Sequence, residues 1–202
     1  DLRGSVPLMV FFAGIGLGFM FVEISQMQRL IVFLGHPTYS LSVVLFSLLV
    51  SSGVGSYLTS RVEVRGRTGP AARLLLLLLA VLSVFGTVSP GILRAFQEST
   101  TPARVLLVTA LLFPLGLFMG MAFPLGMRLA SGRAPALTPW LWGINGATSV
   151  CASVLAIVIA LSSSISAAYW TGVACYVVSL IAFAQAAVGA VGSAAAEAEA
   201  SR

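Results

Sequence analysis

The sequence predicts an all-α fold, a polytopic membrane helix bundle with six transmembrane helices. Of its 202 residues, 58% are hydrophobic and only 8% are charged, whereas roughly 25% of the residues of a soluble domain are charged. The mean hydropathy of +1.04 indicates that lipid is the main solvent of the chain. A membrane β-barrel needs strands of alternating polarity, and the run "LLLLLLAVL" from Leu74 to Leu82 has no alternation.

Six apolar runs are each long enough to cross a hydrocarbon core of about 30 Å, which takes about 20 helical residues. They lie near 6–30, 38–60, 71–93, 103–128, 139–161 and 166–190. Between them stand residues that break helices or carry charge. These separators are Gly35–Pro37, Arg61–Pro70, Glu98–Pro102, Ser131–Pro139 and Ser162–Ser166. The sequence therefore predicts one six-helix membrane domain over residues 1–190.

The distribution of arginine predicts the orientation of the helices, because loops rich in Lys and Arg stay on the cytoplasmic side. All eleven basic residues are Arg, and six crossings would place eight of them on the side that holds both termini. The eight are Arg3, Arg61, Arg65, Arg67, Arg73, Arg128, Arg133 and Arg202. Both termini are therefore predicted to be cytoplasmic, beside an anionic leaflet. Basic clusters of the kind that bind nucleic acid are absent from the sequence.

The two ends of the sequence differ from its apolar middle. The opening "DLRGSVP" lacks the basic region, apolar core and cleavage site of a secretory signal, and we expect it to continue a longer protein. Residues 191–202 are rich in Ala and Glu, and their low complexity predicts a flexible tail.

Polar residues interrupt the first apolar run within "GFMFVEISQMQRLIVFLGHPTYS", residues 18–40. An ionised carboxylate at the centre of a membrane helix costs about 2.5–3.5 kcal/mol, so Glu23 is predicted to face the bundle interior. Gln26 lies three residues later and shares the face of Glu23. Arg29 lies six residues from Glu23, well round the helix, and is not expected to pair with it.

Two interpretations of these groups are open at this point. Glu23 and Gln26 could hydrogen-bond to neighbouring helices while Arg29 extends to lipid headgroups. Alternatively, the three side chains could form a polar site near the outer leaflet for a cationic or polar ligand or for a proton.

The turn after the first helix carries the only histidine of the chain. The simplest role of His36 is to hydrogen-bond backbone groups that Pro37 leaves free. Its place near Tyr39 and Arg29 would also suit ligand contact or pH sensing. A single His predicts no metal site, and the sequence contains no cofactor motif.

Asn145 stands near the start of the fifth apolar run, behind Trp140 and Trp142, which are suited to anchor the helix at the membrane interface. A buried amide needs hydrogen-bond partners. Glu23 is not expected to be one, because the topology places Glu23 toward the other leaflet.

The fourth run contains a short internal repeat, "FPLGL" at 113–117 and "FPLGM" at 123–127. Each proline removes a backbone donor and obstructs a carbonyl one turn earlier, so the helix is predicted to kink at Pro114 and Pro124. Such kinks are common in membrane helices, but interrupted helices also expose carbonyls to transporter substrates.

Small residues spaced four apart predict close contacts between helices, because membrane helices gain most from backbones that approach closely. The pairs are Gly14 and Gly18, Ser52 and Ser56, and Gly116 and Gly120. Cys151 and Cys175 fall inside the last two helices and are expected to be reduced, packed thiols.

Three segments, "FVEISQMQRLIVFLGHPTYSLSVVLFSLLVSSGVGS", "FPLGMRL" and "WLWGINGATSV", together resemble a known family. They are similar to the membrane domain of bacterial multi-pass proteins fused to a spermidine-synthase-like, aminopropyltransferase or methyltransferase-type domain. The resemblance spans most of residues 8–185 in the expected order. The residues that match the family pattern by position are Glu23, Gln26, Arg29, His36, Pro37, Tyr39, Pro124 and Asn145.

The sequence departs from that family in two respects. No Gly-rich loop with a later acidic residue is present, so the nucleotide-binding fold of the soluble neighbour is missing and no aminopropyl transfer is assigned to this chain. Ser163 and Ser164 stand where the relatives carry Phe-Gly.

The resemblance implies a non-catalytic membrane domain of the bacterial inner membrane. Such a domain would anchor or support a catalytic domain or a larger complex, with lipids and other membrane subunits as its partners. The alternative is a transporter or channel for polyamines or other small cations, with Glu23 as the acidic contact. An enzyme would need a convergent nucleophile, base or metal, for which the sequence offers little.

Overall fold

The computed structural model describes residues 5–59, 69–133 and 135–200, and the side chains of 5–59, 69–132 and 135–187. These residues form six α-helices and one short 3-10 turn, and they contain no strand. The helices are α1 (Val6–Leu34), α2 (Pro37–Thr59), α3 (Gly69–Ala95), α4 (Thr101–Arg133), α5 (Thr138–Ser162) and α6 (Ile165–Ala200). Each is long and apolar enough to cross a membrane. The predicted fold class is confirmed, and the chain is a multi-pass membrane protein.

The helices extend past several predicted boundaries. α1 ends at Leu34 and α4 ends at Arg133, because no strong breaker precedes Gly35 in the first case or the proline-rich turn in the second. α6 continues to Ala200, so most of the predicted tail over 191–202 has helical backbone. Alanine is the best helix former, which accounts for the extension; the flexibility of the tail stays a prediction.

The predicted orientation rests partly on residues outside the described ranges. Most of the separator Arg61–Pro70 lies there, as do Arg3 and Arg202, and the side chain of Arg133 is not described. The cytoplasmic location of both termini therefore stays a prediction.

Three short turns lie at one end of the bundle, which we call the turn end. The first joins α1 to α2 at Gly35, whose φ of 76° lies in the left-handed region that glycine adopts without strain. The Gly35 N–H donates to the Ile31 carbonyl at 3.1 Å and closes the helix. The other two turns join α3 to α4 and α5 to α6, the latter at Ser163 and Ser164, as predicted.

Helix α1 packs on both α5 and α6 through three glycines. A Cβ on Gly14 would collide with Ser179 of α6, and one on Gly18 would lie 2.8 Å from the Tyr176 ring. Gly16 faces the other neighbour, and its Cβ would lie 2.6 Å from the Asn145 carbonyl of α5. The predicted close contact at Gly14 and Gly18 is confirmed.

A second close contact joins α2 to α4. A Cβ on Gly116 would collide with the Ser51 hydroxyl, and one on Gly120 would collide with the Ser52 backbone. The α2 side of this contact continues at Gly55, which meets the Leu117 carbonyl. Ser56 is exposed, so its predicted part in the contact is wrong. The face of α2 that meets α4 passes from Ser52 to Gly55 and not to Ser56, because one helical turn takes 3.6 residues and not four.

The core is aromatic in the half of the bundle away from the turn end. The Phe11 and Phe12 rings meet edge to face with centroids 5.3 Å apart. Phe183 of α6 lies 5.5 Å from Phe11, and Phe123 of α4 lies 5.4 Å from Phe12. These contacts join α1, α4 and α6 and place α1 at the centre of the bundle.

Candidate functional site

Glu23 and Gln26 lie on the inner face of α1, one turn apart. The Glu23 side chain is 8% exposed and Gln26 is completely buried, so their predicted burial is confirmed. Neither the Oε1 nor the Nε2 atom of Gln26 has a hydrogen-bond partner in the described part of the chain. A buried amide without partners is unusual, so this region of α1 holds unused hydrogen-bonding capacity.

Arg29 joins α1 to α3 and α6 at the turn end. Its Nη1 donates to the Ser89 hydroxyl at 3.3 Å and its Nη2 donates to the Ser166 hydroxyl at 3.2 Å. The guanidinium also lies 5.8 Å from the centre of the Tyr169 ring, a cation–π distance. Both terminal nitrogens thus bind protein hydroxyls, and the expected contact with lipid headgroups stays a prediction.

Tyr169 of α6 supports the Arg29 guanidinium and is itself bonded to α3. Its hydroxyl donates to the Leu82 carbonyl of α3 at 2.7 Å, and the side chain is fully buried. Gly86 allows the approach, because a Cβ there would lie 2.5 Å from the Tyr169 ring. Sequence reasoning missed this residue; a tyrosine within an apolar run was the available signal, since a buried hydroxyl normally finds a partner.

His36 lies apart from these groups, on the exposed turn between α1 and α2, and Tyr39 lies in the first turn of α2. The Thr38 N–H donates to His36 Nδ1 at 3.3 Å, and the Ser40 N–H donates to the His36 carbonyl at 3.1 Å. His36 therefore caps the start of α2, which confirms the structural role expected beside Pro37. The His36 and Tyr39 rings are 5.5 Å apart.

Asn145 fastens α5 to α1. Its Nδ2 donates to the Phe12 carbonyl at 3.0 Å. Ser149, one turn later, donates to the Asn145 carbonyl at 2.8 Å and to the Gly16 carbonyl at 3.3 Å. Asn145 thus meets α1 well away from Glu23, in agreement with the prediction that the two do not pair.

A cavity of about 290 Å³ adjoins Asn145, between α1, α4, α5 and α6. Its polar lining comes from Asn145, Ser149 and Tyr176, and its aromatic lining includes Phe123 and Trp142. The Phe123 and Trp142 rings meet edge to face with centroids 4.6 Å apart. Since Trp142 is 59% exposed, the cavity is open to the outside there.

A second, apolar groove of about 450 Å³ runs between α3 and α4. Pro114 lines it, whereas Pro124 does not. Both prolines lie inside one helix assigned without interruption from Thr101 to Arg133. α4 is therefore one continuous helix across both prolines, and the kinks at Pro114 and Pro124 stay a prediction.

The predicted polar residues thus occupy four places. Glu23 and Gln26 lie in the interior, Arg29 lies at the turn end, and Asn145 lies on α5. His36 and Tyr39 are exposed where α1 gives way to α2. Within the described ranges, no three His, Cys, Asp or Glu side chains come together as a metal-binding group.

Compared with protein-family models, with curated proteins and with solved structures, the chain matches none of them. The resemblance to the membrane domain of spermidine-synthase-like proteins therefore stays a prediction from the sequence.

Proposed function

We propose that this chain is a non-catalytic membrane domain that anchors or supports a partner within a larger assembly of the bacterial inner membrane, with both termini in the cytoplasm. The observation that carries the proposal is the outer face of α5. This helix packs on α1 along one side and leaves the opposite side open.

The open side of α5 has the composition of a helix–helix contact. Gly143, Ala147 and Cys151 are all exposed and stand four residues apart. A Cβ on Gly143 or on Gly146 would meet nothing within 4 Å. Small residues at this spacing let membrane helices approach closely, and the four-residue spacing within this chain marks the contacts of α1 with α6 and of α2 with α4. A partner helix is the occupant that fits.

A purification in mild detergent tests this proposal. The tagged wild-type chain should carry a partner at fixed stoichiometry, identified by mass spectrometry. Gly143→Leu should remove the partner, because the added side chain fills the contact. Gly53→Leu is the matched control, since Gly53 lies on the open face of α2 with nothing within 4 Å of its Cβ position, and this variant should keep the partner. A wild-type chain that purifies alone, or partner loss in both variants, would contradict the proposal.

A second candidate, transport of polyamines or other small cations, is favoured by Glu23 and Gln26. An intramembrane carboxylate normally has a functional partner, yet in the described ranges Glu23 makes no ion pair or hydrogen bond, and the Gln26 amide beside it is buried without partners. A cation that passes through the bundle could use both groups.

Uptake of labelled spermidine into proteoliposomes tests this second candidate. Glu23→Gln should abolish uptake, because the neutral amide keeps the shape and removes the charge. Glu98→Gln, in the exposed turn after α3, should leave uptake unchanged. Equal uptake by wild type and Glu23→Gln, or no uptake above empty vesicles, would exclude transport by this route.

A further inference from the structure

The cavity beside Asn145 is lined by a tyrosine whose hydroxyl the fold does not use. Tyr176 of α6 is only 2% exposed and lines the cavity. Its ring packs on Gly18 of α1, where a Cβ would lie 2.8 Å away. Within the described residues the Tyr176 hydroxyl has no hydrogen-bond partner. The hydroxyl of a largely buried tyrosine normally finds a partner, so this one is available to a bound molecule.

The other polar groups of the cavity define what that molecule can be. Asn145 uses one N–H on the Phe12 carbonyl, and its amide carries a second N–H. The Ser149 hydroxyl is already committed to backbone carbonyls. The available donors are therefore the Tyr176 O–H and one Asn145 N–H, and both would serve a carbonyl oxygen. The Asn145 Oδ1 remains as an acceptor.

The charge and shape of the cavity limit the chemical class of the ligand further. No charged residue lines the cavity, so an ion there would have no counterion in direct contact, and a neutral ligand is favoured. Phe19, Phe123 and Trp142 supply aromatic walls, which favour a ring in stacked or edge-to-face contact. A cavity of about 150 Å³ holds benzene, so about 290 Å³ leaves room for a single substituted ring.

The opening determines how such a molecule would enter. Trp142, on the rim, lies in the second turn of α5 and is 59% exposed. Since Trp142 is suited to the membrane interface, the opening would admit a molecule that partitions into the bilayer.

We propose that this cavity binds the ring of a neutral, lipid-soluble molecule of the quinone class, with a ring carbonyl that accepts hydrogen bonds from the Tyr176 hydroxyl and the Asn145 amide. The site differs from the cation route, because Glu23 does not line it. It requires neither the partner helix on α5 nor transport.

Ubiquinone-1 is a suitable probe, because quinones quench tryptophan fluorescence on contact. Trp140→Phe and Trp170→Phe leave Trp142 as the only tryptophan among the three of the chain, in the full-length protein in lipid nanodiscs. The proposal predicts saturable quenching of Trp142. Tyr176→Phe should raise the Kd about 3- to 10-fold, as expected for the loss of one hydrogen bond.

The controls separate the site from general partitioning into lipid. Tyr176→Phe removes a hydroxyl without a described partner, so the variant should fold normally. Tyr39→Phe, at an exposed position in the first turn of α2, should leave the Kd unchanged. Ala122→Leu, which fills the cavity from α4, should abolish saturable quenching. Quenching that rises linearly with probe in all variants, or an equal Kd in wild type and Tyr176→Phe, would overturn the proposal.

Discussion

Helices α1 and α5 are almost equal in mean hydropathy, but they occupy opposite places in the bundle. In the most apolar stretch of α1, 61% of the residues are buried, against 11% for α5. α1 contacts helices on several sides, through glycines toward α5 and α6 and through phenylalanines toward α4. α5 contacts α1 along one side and presents Val150, Val154 and Leu161 to the outside.

The comparison shows that hydropathy predicts whether a helix lies in the membrane, but not whether it lies at the centre or at the edge of the bundle. Lipid chains are as apolar as leucine, so burial between helices depends on close packing and on interhelical hydrogen bonds. α1 carries glycines on the faces that contact α5 and α6, namely Gly14, Gly16 and Gly18. Its polar side chains Glu23 and Gln26 are buried in the bundle interior. The glycines of α5, in contrast, face open space.

The largest effect is expected from adding a side chain at the contact between the two helices. Gly16→Val should destabilise the protein by about 3 kcal/mol or more, because overpacking is costly where backbone cannot yield, and a Cβ at Gly16 would lie 2.6 Å from the Asn145 carbonyl. Gly146→Val, where the space is open, should change stability by less than about 0.5 kcal/mol. Unfolding by SDS titration in mixed micelles measures both variants. An equal loss of stability in the two variants would contradict the conclusion that the Gly16 face of α1 is packed and the Gly146 face of α5 is open.

The next effect is expected from removing a ring from α1. Phe12→Ala should cost about 3 kcal/mol, because it leaves a cavity where the ring contacts Phe11 and Phe123. This is the low end for a buried Phe, since the ring of the unfolded chain meets lipid or detergent rather than water. Val154→Ala on the exposed face of α5 should have almost no effect. The same titration distinguishes them, and a loss at Val154 as large as that at Phe12 would show that α5 is covered within this chain.

The smallest effect is expected from the hydrogen bond that joins the two helices. Asn145→Ala removes the donor to the Phe12 carbonyl, and interhelical hydrogen bonds in membranes contribute about 0.6–1.7 kcal/mol. Ser153→Ala is the control, because Ser153 donates only within its own helix, to the Val150 carbonyl. Thermal unfolding in detergent should show a lower Tm for Asn145→Ala alone. A Tm equal to that of wild type would mean that glycine packing holds α5 without this bond.

Hydropathy and spacing within one helix predicted much of this structure. The six spans, the turn at Ser163, the interior position of Glu23 and the glycine contact of α1 all follow from residues close in sequence. The arrangement of Arg29 does not, because its partners Ser89 and Ser166 come from segments far along the chain.

Two further features depended on how the helices pack. The prediction of packed thiols is wrong for Cys151, which is exposed, whereas Cys175 is partly buried. Composition alone could not distinguish the two, because both lie in apolar helices. The cavity at Tyr176 depends on the packing of four helices at once, which no single-helix pattern encodes.

Photolabelling with a carbene reagent dissolved in the lipid, mapped by mass spectrometry, tests the central place of α1 most directly. In purified protein reconstituted in liposomes, residues 150–161 of α5 should carry several times more label than residues 11–22 of α1. Equal labelling of the two segments would contradict a bundle built around α1.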